Sequence, residues 1–461
     1  MVSLLRAFED LNLPIRWFSP ANQPIEDFPP AVLKAHTEGF SNQTLWPLCH
    51  QVHQSPTYIR SEWDSYEEIN QRMARTLMRA LEGGVLAAPI LLVHDYHFAR
   101  LPHWLGQLGF PFRIGFFWHV PWPSVEQFQT LPWAREIAHS LASCDTIGFH
   151  TRGDVDRYHA ALDLFLGDQG RRNGQVIPAG PQLPSKKSDS LRHFHAVRPA
   201  WFLTLGIDRM DYTKGLLQKF RAVDLLLERR PELRGRFQLL QIACPTRERL
   251  PAYAEHATQV RRLAHDINRK WLAGIGRGRP PIQLVERVLD QQKMESLHRR
   301  ADLALITPLH DGMNLVAKEH VLYHEAGPGR AGALVLSQFA GAADELKDAF
   351  LVHPFSPDSI ADGIERALNT PLPERLLRMQ RLKAQVQANP SSHWARSLLK
   401  FTQDSQLGAP SWYESARAAT ATRPKTETPE SRRPHHRLRA LPAPADALPQ
   451  NRRAKAQSLP E

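Results

Sequence analysis

"LITPLHDGMNLVAKEH", residues 305–320, decides the fold. It opens as a short run of apolar and β-branched residues, breaks at Asp311 and Gly312, and continues as a helix carrying Lys318 and Glu319. A strand that ends in polar residues and passes directly into a helix is half of a βα unit. The pattern recurs in "APILLVHDYH" (88–97), "FRIGFFWHVP" (112–121), "CDTIGFHT" (144–151), "AWFLTLGIDRMDYTKG" (200–215), "RFQLLQIACPTR" (236–247) and "GALVLSQFAGAADE" (332–345). Apolar runs flanked by helices predict parallel strands covered on both faces, hence an α/β architecture whose ligands lie beyond the carboxyl ends of the strands.

A Gly-, Pro-, Lys- and Ser-rich stretch, "GDQGRRNGQVIPAGPQLPSKKSDS" (167–190), splits these runs into two groups. The predicted organisation is an N-terminal domain over 1–166, a linker over 167–197 and a second domain over 198–400. Residues 391–413 begin as helical, and 401–413 are assigned as a helix returning to the first domain. Two open α/β domains facing each other place the strand ends of both around one cleft.

The chain has 461 residues, of which 42% are hydrophobic, enough for a large core. No run of 18 apolar residues is present, and "MVSLLRAFEDLNLP" turns acidic after one short apolar stretch, unlike a signal peptide. The expected location is the cytoplasm, with no membrane partner. Cys49, Cys144 and Cys244 are widely spaced and flanked by apolar residues, giving neither a disulfide framework nor a metal spacing.

Net charge is +11, and from Glu414 onward ten Lys and Arg stand against five Asp and Glu. That tail, 414–461, is rich in Pro, Ala, Thr and Ser and is read as a disordered basic extension. Nucleic-acid binding through it ranks last among the functions weighed, because a solvated extension accounts for the same composition.

At the strand ends, Asp311 and Gly312 predict a tight turn that presents the amides of Met313, Asn314 and Leu315 at a helix N-terminus, an anion site. Glu319, one turn deeper, is suited to accept hydrogen bonds from vicinal hydroxyls such as those of a ribose. Arg209 and Lys214 follow another strand and can neutralise a departing diphosphate, the role a divalent metal has elsewhere. In the first domain Asp95 and His119 are candidates for holding sugar hydroxyls. His94 and His97 lack partner cysteines and the helical HExxH spacing, so a metal site is not assigned.

Six stretches together resemble the trehalose-6-phosphate synthase family of retaining, metal-independent glycosyltransferases. They are "GFSNQTLWPL" (39–48), "VHDYHFARLP" (93–102), "RIGFFWHVPWPSVEQF" (113–128), "DRMDYTKGL" (208–216), "LITPLHDGMNLVAKEH" (305–320) and "VLSQFAGAADEL" (335–346). The resemblance implies two facing Rossmann-like domains of the GT-B fold and transfer of glucose from UDP-glucose to glucose 6-phosphate with retention, without a cofactor. It assigns Arg209 and Lys214 to a diphosphate clamp, and Asp311, Met313, Asn314, Leu315 and Val316 to the donor's sugar and phosphates. Glu319 is implied to bind the ribose, Asp95 the acceptor sugar, His119 the transferred glucose, and Trp46 and Arg247 the acceptor phosphate. Glucosylglycerol-phosphate synthesis, with glycerol 3-phosphate as acceptor, is the sister activity, and a donor-binding paralogue without turnover is the alternative of another class. A homo-oligomer is an admissible assembly.

The chain departs from this family at four places. The first glycine is Gly39, so the family's opening strand and glycine-rich loop have no counterpart. Thr37 stands where a tyrosine is expected, and His310 where an arginine precedes Asp-Gly. The interdomain segment keeps only Pro178 and Gly180 of the usual Pro-x-Gly-x-Asp strand end.

Overall fold

The structure is a computed structural model that describes residues 2–9, 11, 15–19, 28–50, 52, 54–82, 90–170, 172–183, 202–272, 279–326 and 331–405. The basic tail predicted over 414–461 lies outside the described residues. Among the described residues ten strands form two sheets, and every pairing between them is parallel. The first sheet runs in sequence order through β1 (Leu91–His94), β2 (Ile114–Phe117), β3 (Thr146–Phe149) and β4 (Gly174–Val176). The second contains β5 (Phe202–Arg209), β6 (Phe237–Cys244), β7 (Ile282–Val285), β8 (Leu303–Ile306), β9 (Leu334–Ser337) and β10 (Phe350–Val352), in the order β10-β9-β8-β5-β6-β7.

The predicted strands form because their residues are buried on both faces. All four residues of β2, β3, β8 and β9 are buried. In the second sheet the chain leaves β5 toward β6 and β7, then returns to β5's other side with β8. That reversal opens a crevice between β5 and β8, the place where open α/β sheets bind ligands. The stretches after these two strands are 210–215 and 307–314, both containing candidate site residues.

Three features differ from the sequence expectation. β4 falls within the predicted linker: it is a three-residue edge strand paired only with β3, so it carries no apolar run. β7 and β10 were not predicted, and they too are sheet edges. The helix that returns to the first sheet spans Ser391–Gln403 and so begins before residue 401, because Trp394 and Leu398 anchor it. The Phe401 carbonyl accepts from Thr146 Oγ1 at 2.9 Å, and Arg113 Nη1 donates to the Ser405 carbonyl at 2.9 Å.

Residues Ala35–Leu45 wind as a π-helix, a rare geometry that often marks functional segments. Gly39 in it faces the Glu62 carboxyl so closely that a Cβ would lie 2.5 Å away. The two halves of the molecule touch directly. A Cβ on Gly312 would lie 2.4 Å from the His119 backbone oxygen, so only glycine lets the 311–314 turn approach β2's end. Lys318 Nζ donates to the Ala179 carbonyl beyond β4 at 2.6 Å and pairs with Glu345 at 2.5 Å.

Candidate active site

β5 ends at Arg209, and the chain then makes one short 3-10 turn, Tyr212–Lys214, before Gly215. Gly215 has φ +68°, and a Cβ there would meet the Thr307 carbonyl at 2.4 Å, so glycine is required to turn the chain against the strand-end loop of β8. This places Lys214, itself buried, with Nζ 2.6 Å from Asp311 Oδ2. Asn314 Nδ2 donates to the same carboxylate oxygen at 3.0 Å. Burial alone would raise the Asp311 carboxyl, but the Lys214 ammonium overrides it and holds the group below the usual range.

Asn314 occupies the left-handed region at φ 76° and caps the helix Leu315–Tyr323, its Oδ1 accepting from Ala317 N at 3.1 Å. The amides of Leu315 and Val316, the first two of the helix, have no intrahelical partner and remain open to an anion. Met313 contributes main chain only: its side chain is buried in the core and its carbonyl accepts from Ala342 N at 2.7 Å. Glu319 makes no hydrogen bond or ion pair to a described residue, and burial pushes its carboxyl up to about 7. Lys318, adjacent to it, is occupied structurally by Ala179 and Glu345.

Across the cleft, Trp46 is delivered by the end of the π-helix and is buried. Two guanidiniums from the second half lie over its ring, Arg247 at 4.1 Å and Arg209 at 5.1 Å. Its other neighbour is His50, whose ring centroid is 4.1 Å away and whose Nδ1 contacts the Trp46 carbonyl at 2.7 Å. The indole Nε1–H is buried without a hydrogen-bond partner among the described residues.

Asp95 has φ 70°, and its Oδ1 accepts from Tyr96 N at 3.0 Å. Burial pushes its carboxyl up to about 6, although the Tyr96 amide, the Arg247 charge and the His119 amide oppose that. His119 Nε2 lies 3.2 Å from His94 Nδ1, and burial keeps His119 neutral. His97 stacks on Tyr96 and its carbonyl accepts from His36, so His94 and His97 do not converge. No group of three His, Cys, Asp or Glu side chains placed to hold a metal occurs among the described residues.

Sequence reasoning missed three contributors. Asp211, fully buried, accepts from Arg209 Nη2 at 3.3 Å and from the amide and hydroxyl of Thr213 at 3.0 Å each. Tyr96 and Tyr253 flank Arg247, accepting from its Nη2 at 3.1 Å and its Nη1 at 2.6 Å. The second acid of "DRMDYTKG", two residues after Arg209, was the available signal for Asp211; nothing local pointed to Tyr253. His310, half-buried and lowered by desolvation to about 4, adds no charge at neutral pH.

The arrangement sets fixed positive charge and helix N-terminal amides on one side, and neutral histidines, aromatic rings and the Asp95 carboxyl on the other. No helix among the described residues is long and apolar enough to cross a membrane. The model of glycosyltransferase family 20 matches residues 26–175 and 185–404. The trehalose-6-phosphate synthase of Mycolicibacterium smegmatis is 35% identical over 390 residues, covering 78% of this chain and 76% of that protein. The structure of the UDP-forming α,α-trehalose-phosphate synthase of Burkholderia xenovorans in complex with glucose 6-phosphate superposes with TM-score 0.74 at 30% identity, over 81% of this chain and 85% of that one. An E. coli trehalose-6-phosphate structure bound with UDP-2-fluoro glucose gives TM-score 0.72 at 31% identity, over 81% and 85%.

Proposed function

The chain belongs to glycosyltransferase family 20, and from that premise we propose that its cleft moves glucose from UDP-glucose to glucose 6-phosphate with retention of configuration. It is a hexosyltransferase of the trehalose-6-phosphate synthase type, with a GT-B arrangement of two parallel sheets. The observation that carries the substrate reading is the convergence of Arg209, Lys214 and the open amides of Leu315 and Val316 at the β5–β8 crevice. From the same side Arg209 and Arg247 both lie over the Trp46 ring, at 5.1 Å and 4.1 Å from its centroid.

In this reading the diphosphate lies between Arg209, Lys214 and the helix N-terminus. Lys214 has three ammonium donors and gives one to Asp311, leaving two for phosphate oxygens. As the anomeric bond breaks, charge grows on the leaving diphosphate, where these preorganised donors stabilise it most. The acceptor hydroxyl enters on the same face, and the departing diphosphate receives its proton. Glu319, desolvated and without a hydrogen-bond partner among the described residues, takes the ribose hydroxyls. Asp95 and His119 hold sugar hydroxyls, Asp311 and the 313–316 main chain the transferred glucose, and Trp46 and Arg247 the acceptor phosphate. The cytoplasm, where UDP-glucose is made, is the proposed compartment.

The test is UDP release from UDP-glucose by the purified chain with glucose 6-phosphate, glycerol 3-phosphate or no acceptor. Release that depends on glucose 6-phosphate and is lost in Lys214→Ala is expected. Release only with glycerol 3-phosphate, or UDP binding with no release under any condition, would overturn the reading.

A further inference from the structure

The buried and half-buried arginines of the first half that approach the strand ends are matched to carboxylates, a contrast with Arg247 of the second half. Arg100 pairs with Glu67, Arg113 with Asp145 at 3.0 Å, and Arg157 with Asp154 at 2.6 Å. Arg247 is not: among the described residues it makes no ion pair, and its two hydrogen bonds go to phenols. The nearby carboxylate, Asp211, is bonded to Arg209 and Thr213 instead. Phenols fix a guanidinium's position without cancelling its charge, since burial keeps Tyr96 and Tyr253 protonated well beyond neutral pH.

The geometry is over-determined. Arg247 has φ +49°, a region a side-chain-bearing residue occupies only when its surroundings hold it. Its carbonyl accepts from Leu250 N at 2.9 Å, and the Leu250 carbonyl accepts from Tyr253 N at 3.0 Å. This turn starts the helix Pro251–Leu272 and folds the Tyr253 ring back over the arginine. Tyr253 OH then accepts Nη1, Tyr96 OH accepts Nη2 and itself donates to Asn42 Oδ1 at 3.2 Å, and the Trp46 ring covers one face at 4.1 Å. Of five guanidinium N–H groups, three are left without a protein partner among the described residues.

We propose that Tyr253 is a positioning residue that holds Arg247 charged and aimed for a phosphate ester on the acceptor, so that discrimination for a phosphorylated acceptor runs through a side chain on the Pro251–Leu272 helix. The proposal rests on the assignment of Arg247 to the acceptor site. Tyr253→Phe removes one oxygen and keeps the ring that packs 5.0 Å from Tyr212. One lost hydrogen bond to a charged group predicts a rise of roughly tenfold in KM for glucose 6-phosphate, with kcat within about twofold of wild type.

The experiment measures, for wild type, Tyr253→Phe, Arg247→Lys and the double variant, the KM for glucose 6-phosphate, the Kd for UDP, the melting temperature, and calorimetric binding of glucose 6-phosphate to the UDP complex. Expected are a selective loss at glucose 6-phosphate, unchanged UDP affinity and melting temperature, and no further loss when Tyr253→Phe is added to Arg247→Lys. An unchanged KM, an equal loss in UDP affinity, or additive effects in the double variant would overturn the proposal. Wild type that fails to bind glucose 6-phosphate at all would instead overturn the acceptor assignment beneath it.

Discussion

The two walls of the cleft solve opposite electrostatic problems. On the second-sheet side four charged pairs stand at or near the strand ends: Lys214 with Asp311 at 2.6 Å, Lys219 with Asp208 at 2.7 Å, Lys318 with Glu345 at 2.5 Å, and the exposed Arg209 with buried Asp211 at 3.3 Å. On the first-sheet side the strand ends bear histidines stripped of charge. Burial holds His94 at about 4, His97 at about 3 and His150 at about 3. A diphosphate needs charge that is already in place, whereas a sugar needs donors and acceptors that do not attract a counter-ion. The wall bearing paired charge is thus suited to the donor's phosphates, and the neutral wall to hydroxyls.

The harshest way to break this contrast is Lys214→Ala. It removes the lysine of the proposed clamp and leaves the half-buried Asp311 with Asn314 as its remaining side-chain donor among the described residues, so kcat/KM should fall by roughly 10³-fold and stability by about 1–3 kcal/mol. Steady-state kinetics and denaturant melts check both. A variant that keeps a tenth of the wild-type rate would show that the paired wall does not carry the leaving group. Glu319→Gln comes next. Its carboxyl is raised to about 7 in the fold from an ordinary 4.5, so the folded protein favours the protonated form. That contribution to stability is present below pH 4.5 and is lost as pH rises through 7. Glu319→Gln should therefore raise the melting temperature at pH 8 by a few degrees while weakening UDP binding by roughly 10- to 100-fold. For wild type, UDP affinity should climb with pH up to about 7 and then level, because the ionised carboxylate is the better acceptor for ribose hydroxyls. A flat profile in calorimetry would remove Glu319 from the ribose.

The neutral wall predicts a different pH response. Its histidines have folded values lowered from 6.5, so the unfolded chain takes up protons first as pH falls. Stability is complete above 6.5 and is lost progressively toward pH 4. Thermal melts across that window should show a steep loss in wild type and a shallower one in His94→Gln. Identical slopes would mean that His94 is not part of the acid-sensitive set.

What the sequence exposed follows from what each feature must satisfy. β5, β8 and β9 were legible because both faces are covered, which forces an unbroken apolar run. β4 and β7 are edge strands whose solvent-facing positions Gln175 and Gln283 interrupt the apolar run, and β10 has three residues only, whereas the edge strand β1 keeps an unbroken apolar run and was legible. Arg209, Lys214 and Asp311 stood out because a charge at a strand end is chemically conspicuous in the letters alone. Asp211 and Tyr253 did not, since each acts on another side chain: Asp211 on Arg209, Tyr253 on an arginine six positions back that φ +49° turns toward it. The π-helix over Ala35–Leu45 was equally silent, because its residues have no helical amphipathy to read.

The smallest expected effect tests whether the charged wall is already complete. His310 stands where the family resemblance places an arginine; its ring lies edge-on to His50 at 6.1 Å, and burial holds it near 4. It feels two acids, Asp154 and Asp311, and two cations, Arg157 and Lys214. An arginine there would meet nearly balanced fields, and the proposed clamp already counts Arg209, Lys214 and two helix N-terminal amides. His310→Arg should therefore tighten UDP binding by no more than roughly threefold, an effect that fades as salt is raised. A gain of about tenfold or more by calorimetry would mean that the donor wall is short of positive charge. The contrast would then lie between a half-built clamp and a neutral wall, with position 310 as the site where the clamp is unfinished.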